Sequence, residues 1–295
     1  KLRKGRKVIQ HIPDDVWIVI FSFCEPKLLP QMRLVSKSFC SMLDTYSKTW
    51  EHCRNHKFGE GIPPPPTGMK EFQYLDLLSG QGCHSCKNQT IRKAYWAFLR
   101  RWCEPCFKKQ IAKSFPGTQL FSDPRLGSCI MSATVDSWGS YECAGSEIAQ
   151  IPRNNHMRFT VFRQTDVQKI NEEYMNMREA VRKEYSTDEE MIAAVAKWLA
   201  EKTSHVQGRL IEIKAIEKWE KSQDAVKKSK NKDLKTQRQE YYQAKASAMN
   251  PPLSKEALKL IPAYQKAIKI LKVPTERSWK ILKDKLEKSR AAAEE

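Results

Sequence analysis

Four cysteines are the residues of this 295-residue sequence whose spacing most clearly predicts a chemical role. Cys83 and Cys86 form one CxxC pair, Cys103 and Cys106 form a second, and residues 87–102 separate the pairs. This spacing lets both sulfurs of each pair reach one tetrahedral ion, and it falls in the range of four-thiolate zinc sites. Four protein ligands leave no open position for water or substrate, so we predict a structural zinc ion.

Two alternatives to a zinc site are free cysteines and a pair of thioredoxin-like redox motifs, and neither explains two pairs at this separation. His84 is the nearest competing ligand, but it lies inside the first pair and is expected to point away. Four thiolates around one Zn²⁺ leave a net negative charge, which neighbouring cations could offset. The candidates are Arg92, Lys93, Arg100, Arg101, Lys108 and Lys109.

The composition restricts where the protein works and what it binds. The net charge is +18, which favours acidic protein surfaces or nucleic acids as partners. No apolar run approaches the ~18 residues that cross a bilayer, and Asp14 and Asp15 interrupt any signal-peptide core. The nine cysteines are an odd number, which favours metal binding and free thiols over a disulfide framework. We therefore expect an intracellular protein of the nucleus or cytoplasm, without a membrane partner.

Three short helices are predicted in residues 12–50, upstream of the cysteines. Pro13 and the two aspartates after it suit a helix start, and Ser36 suits the cap of a later helix. A segment of this size cannot bury all of its apolar side chains by itself, so the remainder of the chain or a partner must cover them. In the first helix they fall on two faces, one with Trp17, Ile20, Phe21 and Cys24 and the other with Val16, Val19 and Phe23.

The order and spacing of residues in this segment resemble the F-box motif. The likeness runs through Ile12-Pro13-Asp14-Asp15-Val16, Ile20-Phe21, Cys24, Leu28, Leu34-Val35-Ser36-Lys37 and Phe39, and Ile12 stands where the family usually has Leu. The resemblance implies docking on the Skp adaptor, and through it on the cullin, of a Skp–cullin–F-box ubiquitin ligase. The residues expected to form or support the partner-binding surface are Ile12, Pro13, Val16, Ile20, Phe21, Leu28, Leu34, Val35, Ser36 and Phe39. The alternative is a helical hairpin buried inside its own domain.

Two further stretches resemble a group of fungal F-box proteins in which two CxxC pairs follow the F-box. They are Gly68-Met69-Lys70-Glu71-Phe72-Gln73-Tyr74 and Arg101-Trp102-Cys103-Glu104-Pro105-Cys106. The likeness extends to about residue 110 and is loose beyond it. It implies an adaptor class without naming a substrate.

The complete chain is predicted to be mainly α, with long charged helices in its C-terminal half. Thr187 and Glu190 form a capping-box pattern at the start of that half. We expect an irregular middle segment with weak periodicity, and a proline-rich spacer after the F-box. The predicted regions are an F-box at 12–56, a Pro/Gly linker at 57–68, a zinc-binding unit at 69–112, an irregular and helical segment at 113–186 and a charged helical region at 187–295.

The sequence favours a non-catalytic binding protein, because it contains no phosphate-binding loop, nucleophile elbow or HExxH motif. The leading interpretation is a ubiquitin-ligase adaptor that recruits an unknown substrate protein. One alternative is a basic, zinc-containing nucleic-acid-binding protein, and another is a redox enzyme that uses the CxxC pairs. Residues 202–295 carry much of the positive charge, which suits a solvated helical surface, an acidic substrate or a nucleic acid.

Overall fold

A computed structural model describes residues 12–59, 61–91, 93–114, 119–146 and 157–294, with side chains up to residue 289. The described residues contain eleven α-helices and six short strands, which confirms the mainly α prediction. The chain divides into two units, Lys1–Trp219 and Glu220–Glu295. No helix in the part of the chain that the structure describes combines the length and apolar character needed to cross a membrane.

The first unit begins with short helices that enclose a small apolar core. They are α1 (Asp14–Ser22), α2 (Leu29–Met32), α3 (Lys37–Thr45), α4 (Ser47–Phe58) and α5 (Glu71–Ser79). Ser36 caps α3 as predicted, because its Oγ accepts a hydrogen bond of 3.1 Å from the Phe39 N–H. The buried core of this part consists of Phe21, Leu29, Met42, Leu43, Trp50, Cys53 and Leu75.

The proline-rich linker between α4 and α5 is tied to other parts of the first unit. Arg54 of α4 is buried and forms a two-point ion pair with Glu71, with distances of 3.1 and 3.3 Å. Its Nη1 also donates to the Pro63 carbonyl at 3.4 Å. Thr67 donates from its backbone N and its Oγ1 to the carboxylate of Glu212, at 2.9 and 2.6 Å. These bonds hold the linker in one path, whereas the sequence predicted a spacer.

The part of the chain that contains the two CxxC pairs is built around aromatic side chains. Strands β1 (Ala94–Tyr95) and β2 (Arg100–Arg101) pair antiparallel, and helix α6 (Glu104–Gln110) begins inside the second CxxC sequence, directly after Cys103. The rings of Tyr95 and Phe107 stack with centroids 4.1 Å apart. The side chains that fill this core are Tyr95, Trp96, Phe98, Trp102 and Phe107.

A four-stranded antiparallel sheet occupies the middle segment, where the sequence predicted irregular structure. Its strands are β3 (Ile111–Lys113), β4 (Ser132–Val135), β5 (Tyr141–Ala144) and β6 (Phe159–Arg163), in the order β3-β6-β4-β5. Strands of three to five residues are too short to leave a period-2 pattern, and the pairs β3–β6 and β4–β6 join distant stretches. The prediction of irregular loops over residues 114–155 is therefore corrected for β4 and β5. The sequence of residues 157–162 allows a short strand or an extended entry, and β6 is that strand.

Two helices follow the sheet, α7 (Gln164–Glu184) and α8 (Asp188–Ser247). The predicted capping pattern starts α8, because the Glu190 N–H donates to Thr187 Oγ1 at 3.3 Å and that hydroxyl donates to Glu190 Oε2 at 2.9 Å. The helix is continuous for 60 residues, and its lysine-rich stretch is exposed. The prediction of long charged helices in this half of the chain is therefore confirmed.

The second unit contains the end of α8 and three further helices, α9 (Lys255–Leu260), α10 (Pro262–Ile268) and α11 (Glu276–Glu294). Ser254 caps α9, because its Oγ accepts a hydrogen bond from the Ala257 N–H at 3.1 Å. Pro262 begins α10, since proline lacks the N–H needed to continue α9. The core of this unit consists of Tyr242, Ala246, Leu258, Tyr264, Ile268, Trp279, Leu282 and Leu286.

Candidate functional site

The four predicted cysteine ligands come together in one cluster. The Sγ atoms of Cys83, Cys86, Cys103 and Cys106 all lie within 4.8 Å of one another. The Cys86 and Cys103 sulfurs are 3.6 Å apart. Sulfurs that surround a metal ion tetrahedrally at ~2.3 Å are about 3.8 Å apart, whereas disulfide-bonded sulfurs are ~2.05 Å apart. The donor set and its spacing therefore fit a metal ion.

Backbone turns aim the sulfurs at a common centre. Cys83 Sγ accepts hydrogen bonds from the backbone N–H groups of Ser85, Cys86 and Cys103, at 3.4, 3.5 and 3.3 Å. Cys103 lies just before α6 and Cys106 lies in its first turn. Each CxxC sequence thus forms a tight turn, and the strands between the turns bring the second pair to the first.

The environment of the cluster shifts the pKa values of Cys83 and Cys106 in opposite directions. Burial raises the pKa of the Cys83 thiol, but the backbone N–H donors from Cys86, Cys103 and Ser85 outweigh burial and lower the pKa to about 6. The hydrogen bond with Cys103 is the main reason that the pKa of Cys106 is raised to about 12. A metal cation would favour the thiolate form of all four residues.

His84 takes no part in the cluster and points to another residue, as the sequence predicted. Its Nε2 lies 3.2 Å from Asp76 Oδ2, and its Nδ1 accepts from the Arg101 backbone N–H at 3.4 Å. Burial is the main cause that lowers the pKa of His84. The imidazole therefore links the first CxxC turn to α5.

Arg101 is the buried cation that holds the first CxxC turn in place. Its side chain donates to the carbonyls of Asp76 and Gly82, the latter at 2.8 Å, and to both oxygens of the Asp76 carboxylate at 3.2 Å. It also donates to the Gln81 carbonyl at 3.3 Å. These bonds satisfy the guanidinium in the interior and fix residues 81–83 against the end of α5.

We expect Arg101→Met to lower the free energy of unfolding by about 2–3 kcal/mol. The substitution leaves the partly buried carbonyl of Gly82 without its donor, while the half-exposed Asp76 carboxylate recovers part of its hydration. Arg158→Met provides the control, because the Arg158–Glu142 ion pair is largely exposed and contributes at most about 1 kcal/mol. Urea unfolding followed by far-UV circular dichroism measures both variants, and equal effects would contradict the role of Arg101.

Two other basic residues near the cluster contact aromatic rings or a carboxylate. Lys93 Nζ lies over the rings of Tyr95 and Tyr141, and Lys108 pairs with Glu104 at 2.6 Å. Arg92 falls outside the described residues, so its predicted role stays a prediction. These contacts are made away from the cysteine sulfurs, so the predicted charge compensation by Lys93 and Lys108 stays a prediction.

Helix α1 presents an exposed apolar face on the same unit. Val16, Val19, Ile20 and Phe23 are exposed, and their spacing of i, i+3, i+4 and i+7 places them on one side of the helix. The opposite side packs inward through Phe21, which is 1% exposed. A contiguous stripe of large apolar side chains on a surface is typical of an interaction site.

Some of the predicted partner-binding residues are exposed on the surface, and others are buried or half-buried. Phe21 lies in the core and Phe39 is half-buried, with its ring centroid 5.0 Å from that of Phe21. Phe21 therefore supports the helices from inside, while Phe39 packs against it and keeps part of its surface exposed. Ile12 is half-buried, and the exposed members of the set are Pro13, Val16, Ile20, Leu28, Leu34, Val35 and Ser36.

Val19 and Phe23 are exposed residues of the α1 face that were absent from the predicted surface. The sequence had placed them on a second apolar face and Ile20 on the face with Phe21. The structure instead places Ile20 with the exposed side chains. The i, i+3, i+4, i+7 spacing was the available signal, but it could not tell which face turns outward.

Comparisons with known proteins identify a domain in the same stretch. Residues 9–51 match the F-box domain family, so the chain carries an F-box domain, and α1, α2 and α3 lie within it. Neither the curated proteins nor the solved structures gave a match. The resemblance of the cysteine region to fungal F-box proteins stays a prediction.

Proposed function

We propose that this protein is the substrate-recruiting adaptor of a Skp–cullin–F-box ubiquitin ligase, and that it binds the Skp adaptor through residues 12–50. The observation that carries the proposal is the exposed α1 face within the matched F-box domain. The described part of the chain leaves Val16, Val19, Ile20 and Phe23 between 40% and 66% exposed, so a partner can bury the remaining apolar surface.

The loop between α2 and α3 adds to this surface. Leu34 and Val35 are both exposed, next to the Ser36 cap that fixes the start of α3. Burying apolar area of this kind stabilises a complex by roughly 25 cal/mol per Å² before the entropic cost of association. The proposed complex is therefore driven mainly by apolar contacts, with the cap keeping the loop in a single conformation.

The adaptor itself contributes no chemical step. Transfer of ubiquitin would be performed by the cullin-bound subunits and their conjugating enzyme, and this chain would raise the local concentration of a substrate protein. The site of this work would be intracellular, in the nucleus or the cytoplasm. The nucleic-acid alternative raised by the charge of +18 stays a prediction.

The metal proposed for the cysteine cluster is zinc, in a structural role. Four thiolates at tetrahedral spacing are a donor set that zinc prefers, and they leave no coordination position for a substrate. When bound, the ion would cross-link the turn at Cys83 and Cys86 to the start of α6. The surrounding aromatic core would then be fixed from two sides.

The test is complex formation between the full chain and the Skp adaptor. We expect the two purified proteins to form a 1:1 complex that is stable in size-exclusion chromatography with light scattering. The reason is that the exposed face of α1 becomes buried in the complex. Proteins that elute separately at micromolar concentration would overturn the proposed function.

A further inference from the structure

A large cleft in the first unit lies next to the F-box helices and the cysteine region. Its volume is about 830 Å³, and it is lined by residues of α2, α5, α7 and α8 and by the strands near the cysteines. A cleft of this size accommodates several side chains of a ligand. It is separate from the α1 face, since Val16, Val19, Ile20 and Phe23 do not line it.

Cations outnumber acids along this cleft. Six Arg or Lys side chains line it, against three carboxylates, those of Asp76, Asp166 and Glu173. Glu173 is already paired with Lys202 at 2.7 Å. Arg100 and Arg209 have no carboxylate partner within 4.0 Å in the described ranges, and Arg100 donates only to the neighbouring Leu99 carbonyl. Arg33 pairs with Asp44 at 2.7 Å, so the carboxylates of the chain neutralise the positive charge of the cleft in part only.

Two of these arginines, Arg100 and Arg163, lie close enough for their positive charges to repel each other. Burial is the first cause that lowers the pKa of Arg100 and the charge of Arg163 lowers it further, whereas the carboxylate of Asp166 acts in the opposite direction without cancelling them. Arg163 has only a distant partner, Asp166, at 3.7 Å. Like charges held close together in a partly buried place are unfavourable unless an anion joins them.

Buried guanidinium nitrogens without hydrogen-bond partners lie at the same cleft. Four buried side-chain nitrogens or oxygens lack a partner among the described residues, and three of them are the Nε atoms of Arg33, Arg163 and Arg209. All three arginines line the cleft. A guanidinium that has lost hydration without gaining a full set of acceptors gains more from an approaching anion than a hydrated one does.

Apolar side chains lie between the charges. Met69, Phe72, Leu77 and Met131 all line the cleft. A nucleic-acid backbone carries a regular series of phosphates, which the three lining carboxylates would repel. A protein segment can instead place one anionic side chain at the arginines and apolar side chains against the rest of the cleft.

We propose that this cleft binds a protein segment that combines an anionic side chain, either a carboxylate or a phosphate group, with flanking apolar residues. Arg100, Arg163 and Arg209 would hold the anion, and Met69 and Phe72 would contact the apolar flanks. The inference deepens the proposed function, because it names the class of segment that a substrate would carry. It rests on the proposed function only in treating the bound protein as a substrate of the ligase.

The test uses an array of 15-residue peptides that carry a central Glu, phosphoserine or Gln between flanks of Leu, Ala, Ser and Gly. Labelled full-length protein should bind the Glu or phosphoserine peptides about tenfold more strongly than the Gln peptides. Arg163→Gln and Arg209→Gln should each remove about tenfold of that affinity, measured by calorimetry on the best peptide. The contrast between Glu and phosphoserine identifies which anion the cleft prefers.

Arg277→Gln is the matched control, because Arg277 is exposed in the second unit and its loss changes the net charge equally. Equal binding of all three peptide classes, or an equal loss in the control, would overturn the proposal. An oligonucleotide that displaces the peptide with the same arginine dependence would overturn it in favour of a nucleic acid. Arginine-dependent peptide binding by a protein that fails to bind the Skp adaptor would support the cleft and refute the adaptor function.

Discussion

The double variant Val19→Asp, Leu34→Asp is expected to bind the Skp adaptor about 1,000-fold more weakly than the wild type does. Each substitution places a carboxylate where the proposed complex buries an aliphatic side chain, and each should cost about 2 kcal/mol or more. Together they correspond to about 4 kcal/mol, which is about three orders of magnitude in the dissociation constant. Biolayer interferometry with immobilised Skp adaptor measures the change.

The chain supplies matched controls for this experiment. Val226 is 62% exposed on α8, compared with 57% for Val19 on α1. Leu260 is 83% exposed at the end of α9, compared with 87% for Leu34. The double variant Val226→Asp, Leu260→Asp therefore makes the same chemical change at equal exposure, and it should keep wild-type binding.

Neither double variant should lose its fold, because surface substitutions of this kind usually change stability by less than about 0.5 kcal/mol each. Thermal unfolding curves check this point before binding is compared. Equal binding by both double variants would show that the α1 face and the α2–α3 loop are not the contact surface, even if the wild-type chain binds the Skp adaptor.

Cys103→Ser is expected to abolish metal binding and to destabilise the first unit by about 5 kcal/mol or more. Structural zinc contributes apparent free energies of about 10–16 kcal/mol in small zinc-binding peptides. The loss should be smaller here, because the aromatic core still stabilises this part of the chain when the metal is absent. The wild type should contain about one zinc ion per chain by inductively coupled plasma mass spectrometry. The variant should contain almost none, because the three remaining thiolates no longer complete the tetrahedron.

The fluorescence of the buried indoles gives an independent measure of this change. Trp96 and Trp102 lie in the core beside the cluster, so their emission should shift to the red when the CxxC turns separate. Cys129→Ser is the matched control: Cys129 is 4% exposed and Cys103 is 8% exposed, but Cys129 lies outside the cluster. Full zinc content and wild-type emission are expected for this control.

A different result would identify the redox alternative. If the wild type carries no metal, and if its mass falls by about 2 Da per pair on mild oxidation without loss of stability, the CxxC pairs are dithiols. The sulfur positions favour the metal, because all four lie within 4.8 Å in one group and are not separated into two distant pairs.

The sequence predicted most of what depends on local patterns. The caps at Ser36 and Thr187 are present as predicted. A cap needs only a side-chain oxygen three residues before a free backbone N–H, so the local sequence is enough to predict it. The convergence of the two CxxC pairs was also predictable, since the strands between them are short. Pro262 separates α9 from α10 for an equally local reason, because proline lacks the N–H that would continue α9.

The sheet and the cleft could not be predicted in this way. Strand β6 bonds to both β3 and β4, so each of these pairings is fixed by residues that lie far apart in sequence. Likewise, Arg33, Arg100, Arg163 and Arg209 come from four different elements, and no spacing in the chain relates them. Only packing of these elements in three dimensions brings the charges together.

The sequence by itself determined which cysteines form the cluster, where the F-box segment lies and the mainly helical character, because each is encoded by residues within a few turns of one another. The tertiary structure alone decided which face of α1 stays exposed. Both faces are apolar, and only the contacts of Phe21 with the core formed by α3, α4 and α5 select the one that turns inward. The side chain of Ile20, one residue earlier, is left outside as a result.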